Sequence, residues 1–347
     1  MDVNAENLFS IASRMIPARL PLMVLGAPGI GKTDILCEAA RRASHDILTL
    51  YPATLDPTDV SGLPVPDRDA GTVRRLPDDL MGKILGVRRD TLLLLDELGQ
   101  ASPSMQAACA PIILARRICG REIPECVSIA ATANRRRDHA GSTTILSHIV
   151  SRMTTTLTLI PDPIQWSEWA SKEGVRPEIV SFIRWRPSLL TATGDAATEM
   201  YREGTPYPCP RSWVSASKIL GLSLNEEPES VTLAGCVGEG AAAELCAHLR
   251  MFRSDLDIDR IIASGLLPKK VKKSPAVAYA VATGVASRAR VSPDGCLSVA
   301  SSMHSAGLSE YAVLLLRDAI RLSPSITSLK GWSEIVEGPL GAAVRAA

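Results

Sequence analysis

The stretch Leu22-Met23-Val24-Leu25-Gly26-Ala27-Pro28-Gly29-Ile30-Gly31-Lys32-Thr33 constrains the fold more than any other part of this 347-residue chain. Four apolar residues in succession predict a strand covered on both faces, because a strand with one wet face would alternate. The pattern G-x-x-x-x-G-K-T follows, from Gly26 to Thr33. Its glycines let the main chain wrap so that amide N–H groups converge on phosphate oxygens. Lys32 brings a point charge toward the β- and γ-phosphates, and the Thr33 hydroxyl is placed to ligate Mg²⁺. A helix is predicted from about Lys32 to Ala43, and its N-terminal dipole adds positive potential at the same spot. An accidental Gly-rich turn would lack this context of a strand before and an Ala-rich helix after. Gly26, Ala27, Pro28, Gly29, Ile30, Gly31, Lys32 and Thr33 are therefore the candidate phosphate-binding residues.

Thr91-Leu92-Leu93-Leu94-Leu95-Asp96-Glu97 is a second apolar run, and it ends in two carboxylates. A parallel strand ending in Asp beside a phosphate loop can hold Mg²⁺, largely through water, which makes Asp96 a candidate for nucleotide and metal binding. Glu97 is a candidate general base for the attacking water. Val127-Ser128-Ile129-Ala130-Ala131-Thr132-Ala133-Asn134 predicts a third strand ending in an amide. Asn134 could orient the water or the γ-phosphate, although an Asn at a strand end serves equally as a turn former. Arg152 precedes the β-rich run Thr154–Leu159, and Arg211 lies in Pro210-Arg211-Ser212-Trp213 at a predicted helix start. A planar, permanently charged guanidinium suits a γ-phosphate, but spacing alone does not separate these two from surface arginines.

Taken in order, these motifs resemble those of AAA+ ATPases. Leu55–Pro66 is similar to the insertion after the second strand in the MoxR-like and dynein-related members. Arg116–Pro124 looks like the hairpin those proteins carry before the sensor-1 strand. Asn134, then Asp138-His139-Ala140-Gly141, then Leu146 and Ser151-Arg152-Met153, resemble their stretch from sensor 1 to the arginine finger. The resemblance covers roughly residues 1–250. It implies Walker A at Gly26–Thr33, Walker B at Asp96 and Glu97, sensor 1 at Asn134, a trans-acting finger at Arg152 and sensor 2 at Arg211. Met153 stands where the family usually has Phe, and Pro111 falls inside the helix expected after Walker B, where it should kink or shorten that helix.

The implied fold is an α/β P-loop NTPase (AAA+), with a parallel-sheet core and helices on both faces. An all-α lid and a C-terminal helical extension follow. The Pro161-Asp162-Pro163 break marks the first expected boundary, and the resemblance fades from about Met251, so the expected domains are 1–160, 161–250 and 251–347. The implied cofactors are ATP and Mg²⁺. The implied activity is ATP hydrolysis to ADP and phosphate by a homo-oligomeric ring, a hexamer, that acts as a chaperone-like remodeller beside a von Willebrand A domain partner. Two other functions compete: the NTPase motor of a nucleic-acid-acting restriction or phage system, and a non-hydrolysing nucleotide switch. Glu97 and Asn134 count against the switch, since a pure binder needs neither.

Composition narrows the choice. The 38 Lys plus Arg against 37 Asp plus Glu leave a net charge of +1, which counts against a nucleic-acid footprint. The one dense basic run, Lys269-Lys270-Val271-Lys272-Lys273, keeps that alternative open. The 8 cysteines form no C-x-x-C pair and the 5 histidines show no ligand spacing, so neither a disulfide scaffold nor a transition-metal site is expected. The acidic start Met1–Glu6 lacks the positive charge of a signal peptide, and the uncharged stretch Leu98–Ala115 is interrupted by polar residues and prolines. A soluble, cytoplasmic chain with no membrane association is expected. Trp166 and Trp169, three residues apart, are read as packing within the helical lid.

Overall fold

The computed structural model describes residues 1–135, 145–194, 199–200 and 203–345. Asp138-His139-Ala140-Gly141 therefore lies outside the described residues. The chain divides into two compact units: Met1–Asp162 with Thr193–Gly204, and Pro163–Ala192 with Thr205–Ala347.

The first unit contains the strands β1 (Asp2–Val3), β2 (Leu22–Leu25), β3 (Asp46–Leu50), β4 (Leu63–Asp67), β5 (Thr72–Leu76), β6 (Thr91–Leu95), β7 (Arg117–Ile118), β8 (Arg121–Glu122), β9 (Val127–Ala133) and β10 (Thr155–Leu159). Six of them make one parallel sheet in the order β1-β10-β2-β9-β6-β3. Successive residues of a strand point to opposite faces, and here both faces are dry. Leu22, Val24, Leu92, Leu94 and Ala130 pack with Leu8, Ala12, Leu36 and Ala39 of the helices Ala5–Met15 and Lys32–Arg42. Met23, Leu93, Leu95, Ile129 and Ala131 pack with Met81, Ile84, Met105 and Cys109 of the helices Asp79–Leu85 and Pro103–Ala115. This double covering is why the strands read as unbroken apolar runs. Because the strands are parallel, β2, β6 and β9 all deliver their C-terminal residues to one edge of the sheet. The molecule has an α/β P-loop NTPase fold.

Pro111 neither ends nor shortens the helix Pro103–Ala115, which continues four residues beyond it. The carbonyl its missing N–H would serve belongs to Ala107, and both residues are exposed, so water can take that bond. Residues 116–124 form the antiparallel β7–β8 hairpin, turning through the positive φ angles of Cys119 (52°) and Gly120 (76°). After β3 the chain makes the short helix Pro57–Ser61 and the antiparallel β4–β5 hairpin, whose residues Leu63 and Val73 are exposed.

The second unit is helical. Helices Pro163–Lys172, Pro177–Trp185, Pro210–Leu220, Glu226–Val237 and Glu239–Asp255 bury Trp166, Phe182 and Trp213 in one cluster, while Trp169 remains half exposed. Helices Pro275–Ala286, Pro293–Ser305 and Ser309–Leu322 supply most of a second cluster. A buried ion pair joins the two sets: Arg184 Nη1 donates to Asp318 Oδ2 at 2.6 Å and to Thr283 Oγ1 at 2.9 Å. Arg321 pairs with Glu168 across the same junction at 2.9 Å. In the Lys269–Lys273 turn Val271 is buried while all four lysines are exposed. No described helix is long and apolar enough to cross a membrane.

His248 sits deep in the first of these clusters, its Nε2 2.9 Å from Ser181 Oγ and its ring stacked on Trp185. Burial pushes its pKa down from 6.5 to about 4. Between those values the unfolded chain binds a proton that the folded chain refuses, so stability is full above pH 6.5 and is lost as pH falls toward 4. The loss is on the order of 3 kcal/mol, at about 1.36 kcal/mol per pKa unit. Denaturant melts across this window should show the acid-side slope in the wild type and a flatter one in His248→Gln; equal slopes would show that this imidazole is not the titrating group.

Candidate functional site

The loop that leaves β2 is shaped by three glycines with different tasks. Gly26 continues the sheet, donating its N–H to Ala133 O at 3.2 Å. A Cβ there would lie 2.5 Å from Ile30 Cδ1 and 3.0 Å from Leu159 O, so the loop closes only over glycine. Gly29 (φ 73°) and Gly31 (φ 96°) hold the left-handed backbone that turns the chain into the helix Lys32–Arg42, with Gly31 as its N-cap. Ala27 and Ile30 are buried in the sheet's core and pin the loop from beneath. The loop thus leads directly into a helix N-terminus, the end of a helix dipole that suits an anion.

Lys32 is only 8% exposed, and its Nζ donates to Gly26 O (2.9 Å), Ala27 O (3.0 Å) and Asn134 Oδ1 (2.9 Å). Its ammonium therefore lies inside the curl of its own loop, tied to the end of β9. Asp96 is 7% exposed, and its Oδ1 accepts from Thr33 Oγ1 at 2.8 Å and from Thr132 Oγ1 at 2.5 Å. The backbone N–H of Asp96 donates to Leu50 O at the end of β3 (2.9 Å). Glu97 is exposed and takes a left-handed conformation (φ 55°), with its N–H on Thr132 Oγ1 at 3.0 Å. Lys32, Thr33, Asp96, Glu97 and Asn134 are thus gathered at one end of the sheet by three strand ends and one helix start. Cys37 lies one helical turn beyond Thr33, and partial burial pushes its thiol pKa up, against the pull of Arg41.

The donor set fits magnesium. Thr33 and Asp96 present a hydroxyl and a carboxylate oxygen 2.8 Å apart, which are the hard oxygen ligands Mg²⁺ prefers. Among the described residues no group of three or more His, Cys, Asp or Glu could cage an ion. A magnesium ion here would therefore draw its remaining ligands from water and phosphate.

Arg152 is not brought to this cluster. It is exposed, follows the short helix Ser147–Val150, and precedes β10, whose Thr155 lies in register with Leu22 at the start of β2. In a parallel sheet that is the edge opposite the phosphate loop. Met153 is buried in the same apolar core as Ile149, where its flexible side chain serves as an anchor. Arg211 is the second residue of the helix Pro210–Leu220, exposed, in the other unit. Thr132, which no motif singled out, is findable by period-two reasoning: it stands on β9 two residues before Asn134, which follows the strand's end.

No family model and no curated protein matches the chain. Solved structures that resemble it include NtrX from Brucella abortus in complex with ADP, at 13% identity and TM-score 0.41, covering 98% of this chain and 67% of that one. RuvB from Thermotoga maritima is similar in a proline-to-glycine mutant form, at 15% identity and TM-score 0.40 with 87% of each chain covered. An arginine-to-alanine mutant of the same protein is similar at 16% identity and TM-score 0.38, covering 90% of this chain and 87% of that one. Likeness this remote carries no argument about activity.

Gly26→Ala should lower the unfolding free energy by about 1–3 kcal/mol, because Leu159 O is main chain and cannot step aside. Gly235→Ala, in the helix Glu226–Val237 with nothing within 4 Å of its Cβ, should be neutral or stabilising. Chemical denaturation of both variants checks this; a harmless Gly26→Ala would mean that the loop has room to spare.

Proposed function

We propose that this chain is a Mg²⁺-dependent ATPase of the AAA+ class, MoxR-like in type. In this reading it works as a homo-oligomeric ring, a hexamer, that remodels a protein partner in the cytoplasm. The observation that carries the proposal is the convergence of Lys32, Thr33, Asp96, Glu97 and Asn134 at one sheet edge, with Lys32 bonded to Asn134 and Thr33 to Asp96. Lys32 balances charge on the β- and γ-phosphates of ATP, and the loop amides hold the phosphate chain. Thr33 and Asp96 hold Mg²⁺, which when bound neutralises the phosphate charge. Glu97 accepts the proton of the attacking water, while Asn134 orients that water against the γ-phosphate.

Arg152, on the opposite edge from its own loop, serves the nucleotide of a neighbouring subunit, and this is the reason for a ring. Arg211 acts on the nucleotide of its own chain from a lid formed by residues 161–250. A von Willebrand A domain protein is the partner that the resemblance implies.

Mixing inactive subunits tests the assignment of the arginines. Lys32→Ala and Arg152→Ala should each abolish turnover. Together they should recover part of it, because an Arg152→Ala chain keeps its own loop and can borrow Arg152 from a Lys32→Ala neighbour. Arg211→Ala mixed with Lys32→Ala should recover nothing. Absence of recovery in the first mixture, with co-assembly verified by cross-linking, would remove Arg152 as a trans-acting finger.

One observation favours a second reading, a nucleic-acid motor. The turn from Lys269 to Lys273 splays four exposed lysines around a buried Val271, an arrangement that can follow a phosphate backbone without reading bases. If it does, replacing all four lysines by Ala should reduce the slope of log affinity against log salt for a DNA duplex by about 3–4. A duplex that fails to bind the wild type excludes this reading.

A further inference from the structure

We propose that Thr132 is a positioning residue for both members of the acidic pair, holding the side chain of Asp96 and the main chain of Glu97 in working geometry. The inference rests on reading the site as that of an ATPase.

The geometry is specific. Thr132 is fully buried on β9, and β9 pairs with β6 in a register that sets Leu95 beside Ala131, and hence Asp96 beside Thr132. Its hydroxyl accepts the Glu97 N–H at 3.0 Å, so its own proton is directed to Asp96 Oδ1, 2.5 Å away. Donor and acceptor are thereby used on the two consecutive residues that follow β6. Strand propensity does not call for a hydroxyl here: Val has the same shape and would fill the apolar sheet as well.

The second hydroxyl on Asp96 Oδ1 belongs to Thr33, whose oxygen is the one suited to the cation. Once Thr33 turns to the ion, Thr132 is the donor that still fixes the rotation of the carboxylate. Glu97 needs help of another kind. Its left-handed backbone is one that residues other than glycine seldom adopt, and the bond from its N–H to Thr132 holds the peptide from which its side chain projects. Two residues further along, just past the end of β9, Asn134 bonds Lys32. One strand thus aligns the acidic pair through Thr132 and the phosphate lysine through Asn134.

The test compares Thr132→Val, which removes the hydroxyl, with Thr132→Ser, which keeps it. ATP binding is followed with a fluorescent ATP analogue in EDTA and then through a Mg²⁺ titration, alongside turnover. In EDTA the affinity of Thr132→Val should match the wild type, because Lys32 and the loop are untouched. Its Mg²⁺ half-saturation should rise and its kcat should fall, each by about 10–100-fold, as is usual when a partner behind a metal ligand is lost. Thr132→Ser should restore both. A Thr132→Val protein with wild-type Mg²⁺ response and kcat overturns the proposal while leaving the ATPase reading standing. A wild type that neither binds nor hydrolyses ATP overturns both. Should Thr132→Val fail to fold, Thr132→Ala against Thr132→Ser decides by the same two readouts. Unchanged Mg²⁺ response in Thr132→Ala, or loss in both variants, assigns Thr132 to packing alone.

Discussion

An ammonium group held almost entirely out of water is the constraint around which the first unit is built. Left unpaired, a buried Lys32 would be expensive to desolvate. Three oxygens at 2.9–3.0 Å meet it, two from the loop's own carbonyls and one from Asn134. The loop that carries those carbonyls turns through positive φ at Gly29 and Gly31 and closes over a Gly26 with no Cβ. Asn134 arrives only because β9 lies beside β2 in parallel register. The order of the strands, the glycines and the amide are thus parts of one solution to a single electrostatic problem.

The same economy governs the acidic side. Asp96 sits at the mouth of an apolar sheet, where two hydroxyls donate to its Oδ1 and its own main-chain N–H donates to Leu50 O. Hydrogen bonds to a charged group are worth more than neutral ones and hold direction better. A carboxylate so fixed loses little freedom when an ion binds, which is the usual meaning of preorganisation.

Much of this was legible in the sequence because the relevant signals are contiguous. The loop, its flanking strand and helix, and the run ending in Asp96 and Glu97 each declare themselves within a short stretch of chain. Asn134 was ambiguous as a single letter, and only its bond to a lysine 102 positions away distinguishes it from a turn former. Thr132 was hidden because a β-branched residue in a strand needs no special reason. Pro111 misled because the rule against proline inside helices assumes that the orphaned carbonyl has no water to turn to. The Arg184–Asp318 pair spans 134 residues and leaves no local pattern at all. The consecutive helical stretches on either side of residue 250 therefore gave no hint that a buried charge would fasten them together.

That fastening has a mechanical meaning. Arg184 lies on the helix Pro177–Trp185 and Asp318 on Ser309–Leu322, and removing one partner of a buried, hydrogen-bonded pair typically costs about 3–5 kcal/mol. Thermal agitation, at about 0.6 kcal/mol, seldom supplies that much. The helices Pro177–Trp185 and Ser309–Leu322 are therefore held together at this point by a bond that is costly to break. Residues far apart in the chain are thus tied by side chains, Arg184 to Asp318 and Arg321 to Glu168, rather than by the length of chain between them.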